Sequence, residues 1–378
     1  MINRKLIRNV DYSFIVVVGI ILCLSLLVLS SATANINPDK WIYVRKQVIW
    51  IGLGLAAILA TLSVDYTRLQ KYSNLLYLLN LGFLASVLVM GRASHGAQLW
   101  ISFGSFDFQP SELAKILVII TFAGFLNKRQ GKLERFRDLI PCFIHVAIPL
   151  LLILAQPDLG TSLVFLAITF GMLFLAGAKP SLLMGLLSFG FVAVGLALFA
   201  HFSLGMPLPL EDYQIKRLVV FINPYLDGQG GRGAGWHVIQ SLVAIGSGGL
   251  LGKGLYQGTQ VQLNFLPEHH TDFIFSVVGE ELGFLGATVL LVLYLILIIR
   301  AIKIAMKAKD LYGTLLVIGI ASMWMFHILE NIGMAIGVMP ITGIPLPFLS
   351  YGGSSMLVNM ISVGILLNVN LRRQNILF

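Results

Sequence analysis

The sequence predicts an all-α integral membrane protein with about ten transmembrane helices and a long extracytoplasmic loop between helices seven and eight. Apolar residues make up 57% of the 378-residue chain and charged residues only 11%, whereas soluble globular chains carry about 25% charged residues. The apolar residues gather in long runs, and a helix that spans a bilayer needs roughly 20 mostly apolar residues. We therefore predict a single polytopic membrane domain over residues 1–378.

Ten apolar runs are candidates for these helices: 12–31, 47–64, 72–90, 116–126, 139–155, 161–176, 182–202, 273–299, 315–338 and 356–371. The fourth run is short and needs the turn from Ser111 to cross a bilayer. Two connections are long, residues 91–111 and 203–271. Because long loops in compact proteins are usually functional, we expect the second to be part of the functional site.

The net charge of +9 is compatible with nucleic-acid binding, but the positions of the basic residues argue against it. Most of the 26 Lys and Arg residues fall in the loops that lie on the same side of the membrane as the N-terminus, starting with Arg4, Lys5 and Arg8. An excess of Lys and Arg in short loops marks the cytoplasmic side. The sequence thus predicts a multi-pass plasma-membrane protein with both termini cytoplasmic, which contacts lipid headgroups and binds no nucleic acid.

Charged residues at the predicted spans are candidates for function, because a charge in a membrane is costly. Glu112 and Lys115 begin the fourth span at a spacing that places them on one helix face. They are expected to form an ion pair, and Lys115 is also a candidate to meet an anionic group of a substrate. Asp158 precedes the sixth span, where it can cap the free N–H groups of the helix or belong to a site.

Asp272 lies at the outer boundary of the eighth span, where it can cap the helix or act as a general base. Glu280 and Glu281 lie about two turns deeper. Because consecutive residues cannot both face one cavity, one of them is expected to have a structural partner. Glu330, with His327 and Asn331 at helical spacing, predicts a polar network between helices.

Two segments have unusual backbone composition. Residues 340–355 contain three prolines and no charge, and non-helical backbone at membrane depth must be surrounded by protein or a water-filled cavity. We expect this segment, with Ser350 and Ser354, to line a cavity. The Gly-rich run 246–254 lacks the spacing of a phosphate-binding P-loop; we expect a flexible outer loop whose N–H groups could help to hold a pyrophosphate.

The candidate metal ligands are few. Cys23 and Cys142 fall within predicted helices and form no recognisable metal or disulfide pattern, and the adjacent His269 and His270 have poor geometry for chelation from a helix. The sequence leaves any metal ligands unknown.

Several motifs resemble one known family. Residues 331–355 (NIGMAIGVMPITGIPLPFLSYGGSS) closely resemble the signature of the SEDS family (shape, elongation, division and sporulation proteins). The family's other motifs match residues 108–115 (FQPSELAK), 156–162 (QPDLGTS), 270–275 (HTDFIF) and 279–283 (GEELG), in the family's order. Residues 240–254 are more similar to the elongation members than to the division members.

The resemblance implies a peptidoglycan glycosyltransferase that polymerises lipid II into glycan strands on the outer face of the bacterial plasma membrane. The family's essential acidic residue falls on Asp272, and its Glu–Lys pair on Glu112 and Lys115. We expect Asp272 to be the general base for the acceptor hydroxyl. Lys115, Arg217 and Lys216 are the candidates to stabilise the pyrophosphate leaving group, with Mg²⁺ or Mn²⁺ as a candidate cofactor.

Trp100 is a further candidate substrate contact. Many family members have a basic residue before this tryptophan, but here the position is Leu99. The family also implies a class B penicillin-binding protein as a crosslinking partner. Two other readings stay open: a flippase for lipid II, because ten helices with broken segments also describe transporters, and a non-catalytic scaffold in which Asp272 would be replaceable.

Overall fold

The computed structural model describes residues 11–36, 38–94, 97–103, 106–208, 212–226, 229–233 and 235–373. Within these residues the chain is almost entirely helical. The longer helices are α1 (Tyr12–Ala32), α2 (Ile42–Ser63), α4 (Ser73–Met90), α5 (Pro110–Asn127), α6 (Phe136–Leu154), α7 (Leu159–Leu175), α8 (Pro180–Leu204), α13 (Gly283–Met306), α14 (Leu311–Ala335) and α15 (Gly353–Leu371). The shorter ones are α3 (Tyr66–Lys71), α9 (Asp212–Ile222), α10 (Trp236–Ser247), α11 (Thr259–Gln262) and α12 (Ile274–Glu281).

The helices confirm a multi-pass membrane protein. In the described part of the chain, eight helices are long and apolar enough to cross a bilayer, and α4 and α7 are apolar but slightly shorter. Each of the ten predicted runs therefore has a helix, although the exact number of crossings stays a prediction. The basic residues Arg4, Lys5 and Arg8 of the topology argument lie outside the described residues.

Helices α5, α14 and α15 form the centre of the molecule. The buried share of the apolar stretch is 78% in α5 and 89% in α15, whereas in α8 it is 6%. Helix α14 packs against α5, α7, α13 and α15, and α15 packs along α2. Polar residues on α5 and α14 are therefore enclosed by protein, and α8 presents nearly its whole surface to lipid.

The predicted span 273–299 is wrong as a single helix, because it is broken between α12 and α13. Gly283 ends the first helix with a left-handed φ of +67°, and a Cβ there would lie 2.2 Å from the backbone N of Gly252. The N–H groups of Lys253 and Gly254 donate to the carbonyls of Glu280 and Glu281, both at 3.0 Å. The backbone of the Gly-rich run thus replaces the helical hydrogen bonds lost at the break.

This contact also corrects the expectation of a flexible Gly-rich loop. The run 246–254 is held on the broken helix, and the N–H groups of Phe284 and Leu285 donate in return to the carbonyls of Gly249 and Leu250 at 2.9 and 3.1 Å. Several N–H groups that could have held a pyrophosphate already donate to carbonyls: those of Gly248, Gly252, Lys253 and Gly254. Gly248 and Gly252 are required because the two backbones approach without room for a side chain there: an added Cβ would lie 2.0 Å from the Gly279 carbonyl oxygen and 2.1 Å from that of Glu281.

The connection 91–111 is not an irregular loop. It forms a three-stranded antiparallel sheet of β1 (Arg92–Ser94), β2 (Ala97–Phe103) and β3 (Phe106–Phe108), in the order β1-β2-β3. Trp100 pairs with Arg92, and Ile101 pairs with Phe108. The all-α prediction therefore holds for the helical domain but missed this small sheet. The apolar residues at alternate positions 97, 99, 101 and 103 of β2 were the available signal, whereas β1 and β3 have only 3 residues each.

Candidate active site

Asp272 lies in the turn that precedes α12, and neighbouring groups hold its backbone. Its N–H donates to the carbonyl of Glu268 at 3.0 Å. Its own carbonyl accepts from the Asn331 side chain at 2.7 Å, and the preceding carbonyl, of Thr271, accepts from Ser350 Oγ at 2.6 Å. The side chain is half-buried, and the N-cap position of α12 belongs to the next residue, Phe273.

The segment that follows α14 forms one wall beside Asp272. Residues 336–352 are non-helical, as expected, and Leu346, Phe348 and Leu349 are each 1% exposed. Gly343 lies so close to the Asp272 carboxylate that a Cβ added to it would be 3.2 Å from Oδ2. The carboxylate therefore faces polar backbone, which supports the expectation that this segment lines the site.

Aromatic rings pack around His270, two residues before Asp272. The rings of Tyr43 and Tyr351 lie with their centroids 5.1 and 6.0 Å from the His270 ring, and Tyr351 N–H donates to the His270 carbonyl at 3.0 Å. Burial, with a smaller effect of His269, lowers the pKa of His270 to about 4. The imidazole next to the candidate base is therefore neutral at neutral pH.

Glu112 and Lys115 form the predicted ion pair. Lys115 Nζ donates to Glu112 Oε1 at 2.7 Å, and the two residues are 1% and 4% exposed. The same ammonium lies 3.1 Å from His327 Nε2. Pairing is thus present in the structure, whereas the role of Lys115 toward a substrate stays a prediction.

Asp158 and Arg217 lie on a second wall. Asp158 caps α7 by accepting from Thr161 N at 2.9 Å, and its other oxygen, Oδ2, is buried without a hydrogen-bond partner among the described residues. Tyr213 OH donates to the Pro157 carbonyl at 2.5 Å, and the Arg217 guanidinium lies 5.4 Å from the centroid of the Tyr213 ring. Helix α9 thereby places Arg217 close to the loop that carries Asp158.

This second wall is joined to the first. Gly160 packs against the carbonyl of Thr342 and the side chain of Ile344, the neighbours of Gly343. Asp158 and Asp272 therefore border the same non-helical segment from two sides. Lys216, next to Arg217, is exposed.

The remaining predicted residues lie at the start of α15 and in the sheet. Ser354 Oγ accepts from Gln109 N at 3.1 Å. Ser350 Oγ donates to the Thr271 carbonyl and accepts from Leu346 N at 2.9 Å. Trp100 is half-buried in β2. The two serines thus have structural bonds, and their contact with a substrate stays a prediction.

Glu280 and Glu281 both have structural partners. Glu280 is fully buried, pairs with Lys253 at 2.7 Å and accepts from Gln260 N at 3.0 Å. Glu281 accepts from Ser31 Oγ at 2.7 Å. These carboxylates therefore hold the Gly-rich run and α11 on the break between α12 and α13.

Sequence reasoning missed the exact partners of the polar residues on α14. It predicted a network between helices, which the contact of His327 with Lys115 on α5 supports. It did not predict that His327, Glu330 and Asn331 also bond to the non-helical segment that faces Asp272. Their spacing of three and four residues was the available signal, because it places them on one helix face.

The fold and the site together define a class: a polytopic membrane protein with a half-buried carboxylate held at the ends of its most buried helices. The chain belongs to the cell cycle protein family that includes FtsW, RodA and SpoVE, whose model matches residues 9–375. This is the family that the motifs predicted.

Individual relatives extend over nearly the whole chain. The chain is 38% identical to the stage V sporulation protein E of Bacillus subtilis (strain 168), covering 95% of this chain and 96% of that protein. It is 33% identical to the peptidoglycan glycosyltransferase RodA of Treponema pallidum (strain Nichols), covering 97% and 99%. The fold is similar to a solved chain described under the structural coordination of polymerization and crosslinking by a peptidoglycan synthase complex, with a TM-score of 0.78, 34% identity and coverage of 96% and 97%.

Proposed function

We propose that the chain is a peptidoglycan glycosyltransferase that polymerises lipid II into glycan strands at the outer face of the bacterial plasma membrane. Family membership supports the activity, because relatives carry that name. The observation that carries the proposal is the arrangement of Asp272, whose backbone is bonded to Asn331 and whose neighbour Thr271 is bonded to Ser350. A carboxylate held in this way is suited to proton transfer.

In the proposed reaction Asp272 takes the proton of the GlcNAc 4-hydroxyl of the acceptor lipid II. As the proton is transferred, the hydroxyl oxygen attacks the anomeric carbon of the MurNAc at the end of the donor strand, and the bond from that carbon to undecaprenyl pyrophosphate breaks. A sugar hydroxyl is too weak an acid to lose its proton at neutral pH, and the protonated hydroxyl is a poor nucleophile. A positioned general base contributes about 10²–10⁴-fold in rate.

The leaving pyrophosphate needs positive charge. We assign this role to Arg217, because α9 brings it to the Asp158 loop, with the exposed Lys216 next to it in the chain as a further candidate. Lys115 was the first candidate, but its ammonium is buried and bonded to Glu112 and His327. Asp158 caps α7 and its Oδ2 atom is buried, so a hydrogen bond from a sugar hydroxyl to this carboxylate stays a prediction.

A divalent cation, Mg²⁺ or Mn²⁺, would enter with the pyrophosphate. Among the described residues no three His, Cys, Asp or Glu side chains come together as a metal site. The divalent cation therefore stays a proposal, and no step of the proposed reaction is assigned to one.

We also propose a role in cell elongation, on the similarity of residues 240–254 to the elongation members. Relatives include both a RodA and a sporulation protein, so the role has to be tested in cells. A class B penicillin-binding protein is the proposed partner, because a similar solved chain is described in the context of a complex for polymerization and crosslinking.

Purified wild type and Asp272→Asn, each with a class B partner, provide the test. Lipid II polymerisation is followed on a gel with and without Mg²⁺ or Mn²⁺. We expect glycan strands from wild type and none from a folded, partner-bound variant. Equal polymerisation by both would overturn Asp272 as the base and leave it a scaffold residue. No polymerisation by either, with lipid II translocation in liposomes, would instead establish the flippase.

A further inference from the structure

Three side chains on one face of α14 bond to the non-helical segment next to Asp272. His327 Nδ1 lies 3.0 Å from the carbonyl of Pro345, Asn331 Nδ2 donates to the carbonyl of Ile344 at 2.8 Å, and Glu330 Oε1 accepts from Thr342 Oγ1 at 2.9 Å. All three are at most 3% exposed. We call these three side chains the α14 clamp.

The clamp holds the residues on both sides of Gly343. Thr342 and Ile344 are its bonded points, and Gly343 between them lies against Oδ2 of Asp272. Asn331 in addition donates its second N–H to the carbonyl of Asp272 itself. One amide thus ties the carboxylate's own backbone to the wall that the carboxylate faces, so a shift of this segment would move the wall relative to the base.

The ion pair of Glu112 and Lys115 on α5 contacts the clamp through His327. Because a carbonyl oxygen can only accept, His327 Nδ1 carries the proton that it donates to Pro345, and Nε2 is left as an acceptor. The Lys115 ammonium donates to that Nε2 and to Glu112. Lys115 therefore favours the neutral tautomer in which Nδ1 can hold the segment.

We propose that His327 and Asn331 are positioning residues for Asp272, and that Lys115 acts through His327 rather than on the pyrophosphate. The proposal rests on the proposed function for its kinetic consequence but not for its structural one. Near-attack geometry is demanding, and a displacement of about 1 Å can cost about 10²-fold in rate.

The kinetic test compares His327→Ala and Asn331→Leu with wild type in lipid II polymerisation. We expect kcat to fall about 10²-fold with KM little changed, because the substrate-binding groups are kept. His327→Asn places an amide donor near the position of Nδ1, so it should recover much of the loss. A His145→Ala variant is the control, since it removes a half-buried histidine outside the clamp, which contacts Thr121 on α5. Its kcat should stay near that of wild type.

A double-mutant cycle tests the role of Lys115. The variant Glu112→Gln/Lys115→Met removes both charges of the ion pair together, so that no buried charge is left without its partner. If the pair acts through His327, combining it with His327→Ala should lower kcat no further than the worse of the two alone. Additive losses, or a raised KM for lipid II in the Glu112/Lys115 variant alone, would overturn the indirect role.

Hydrogen–deuterium exchange tests the clamp without activity. The amides of peptides covering 340–350 and 268–273 should exchange faster than in wild type in the His327→Ala and Asn331→Leu variants. In His145→Ala their exchange rates should equal those of wild type. Unchanged exchange in the clamp variants would overturn the proposal. If wild type does not polymerise lipid II, the proposed function fails while the exchange rates still decide the clamp.

Discussion

At Gly343 a single hydrogen atom occupies the place where any other residue would put a methyl group against Asp272. A Cβ there would be 3.2 Å from Oδ2 and would sit on a backbone with a φ of +75°. A substitution at Gly343 would therefore combine crowding of the candidate base with backbone strain. Comparison with Gly337 separates these two effects. That residue has nearly the same φ, +74°, but its added Cβ would make only ordinary van der Waals contacts, with Leu242 at 3.6 Å and Val238 at 3.8 Å.

We predict that Gly343→Ala lowers the rate of lipid II polymerisation at least tenfold more than Gly337→Ala does. Both substitutions carry the cost of a left-handed alanine, roughly 1–2 kcal/mol of stability, but only the first crowds the carboxylate. Thermal unfolding in detergent and polymerisation rates, measured on both variants, check this. Equal losses of rate would mean that backbone strain, not contact with Asp272, is responsible.

At the scale of elements, the break between α12 and α13 exists because another backbone completes it. Residues 246–254 lie against residues 279–285. The Glu280 carboxylate forms an ion pair with Lys253 and accepts a hydrogen bond from the N–H of Gln260. The break ends α12, a short helix of eight residues, and Asp272 lies in the turn before this helix. The Gly-rich run is therefore part of the support of the site and not a mobile loop.

We predict that Gly248→Ala lowers the free energy of unfolding by about 1–3 kcal/mol, the range for forced overpacking. An added Cβ would lie 2.0 Å from the carbonyl oxygen of Gly279, which is backbone and cannot rotate away. Gly246→Ala, two residues earlier, is the matched control because a Cβ there meets nothing within 4 Å. It should be neutral or stabilise α10 by up to about 1 kcal/mol.

Thermal or denaturant unfolding in detergent measures both glycine variants. If Gly248→Ala is as stable as Gly246→Ala, the close packing of the Gly-rich run on the broken helix is wrong.

At the scale of the whole molecule, the proposed function requires that the site face the cell exterior. The loop between α5 and α6 carries Lys128, Arg129 and Lys132, and the positive-inside rule places it in the cytoplasm. The region around α11 and Asp272 would then be outside. Lipid II presents its sugars there, so orientation and activity depend on each other.

We predict opposite labelling of two exposed positions by a membrane-impermeant thiol reagent. With Cys23 and Cys142 replaced by alanine, Gln257→Cys should label in intact cells and Lys132→Cys only after permeabilisation. Both native side chains are exposed, so burial does not affect the comparison. The reverse pattern would put the site in the cytoplasm and exclude polymerisation of outward-facing lipid II.

The sequence by itself determined the membrane class, the ten helical runs and the Glu112–Lys115 ion pair. Each depends on residues near one another in the chain: backbone in lipid must satisfy its own hydrogen bonds within a helix, and residues three apart share a helix face. Motif resemblance added the family, which the comparisons confirmed.

Only the tertiary structure decided the break at Gly283, the sheet of β1–β3 and the partners of His327 and Asn331. Asn331 lies 59 residues from Asp272 in the chain, and Gly252 contacts the backbone at Gly283. No local pattern encodes such contacts, because they form only when segments distant in sequence are packed together. The helices follow from short-range hydrophobicity, whereas the surroundings of Asp272 follow from how those helices pack.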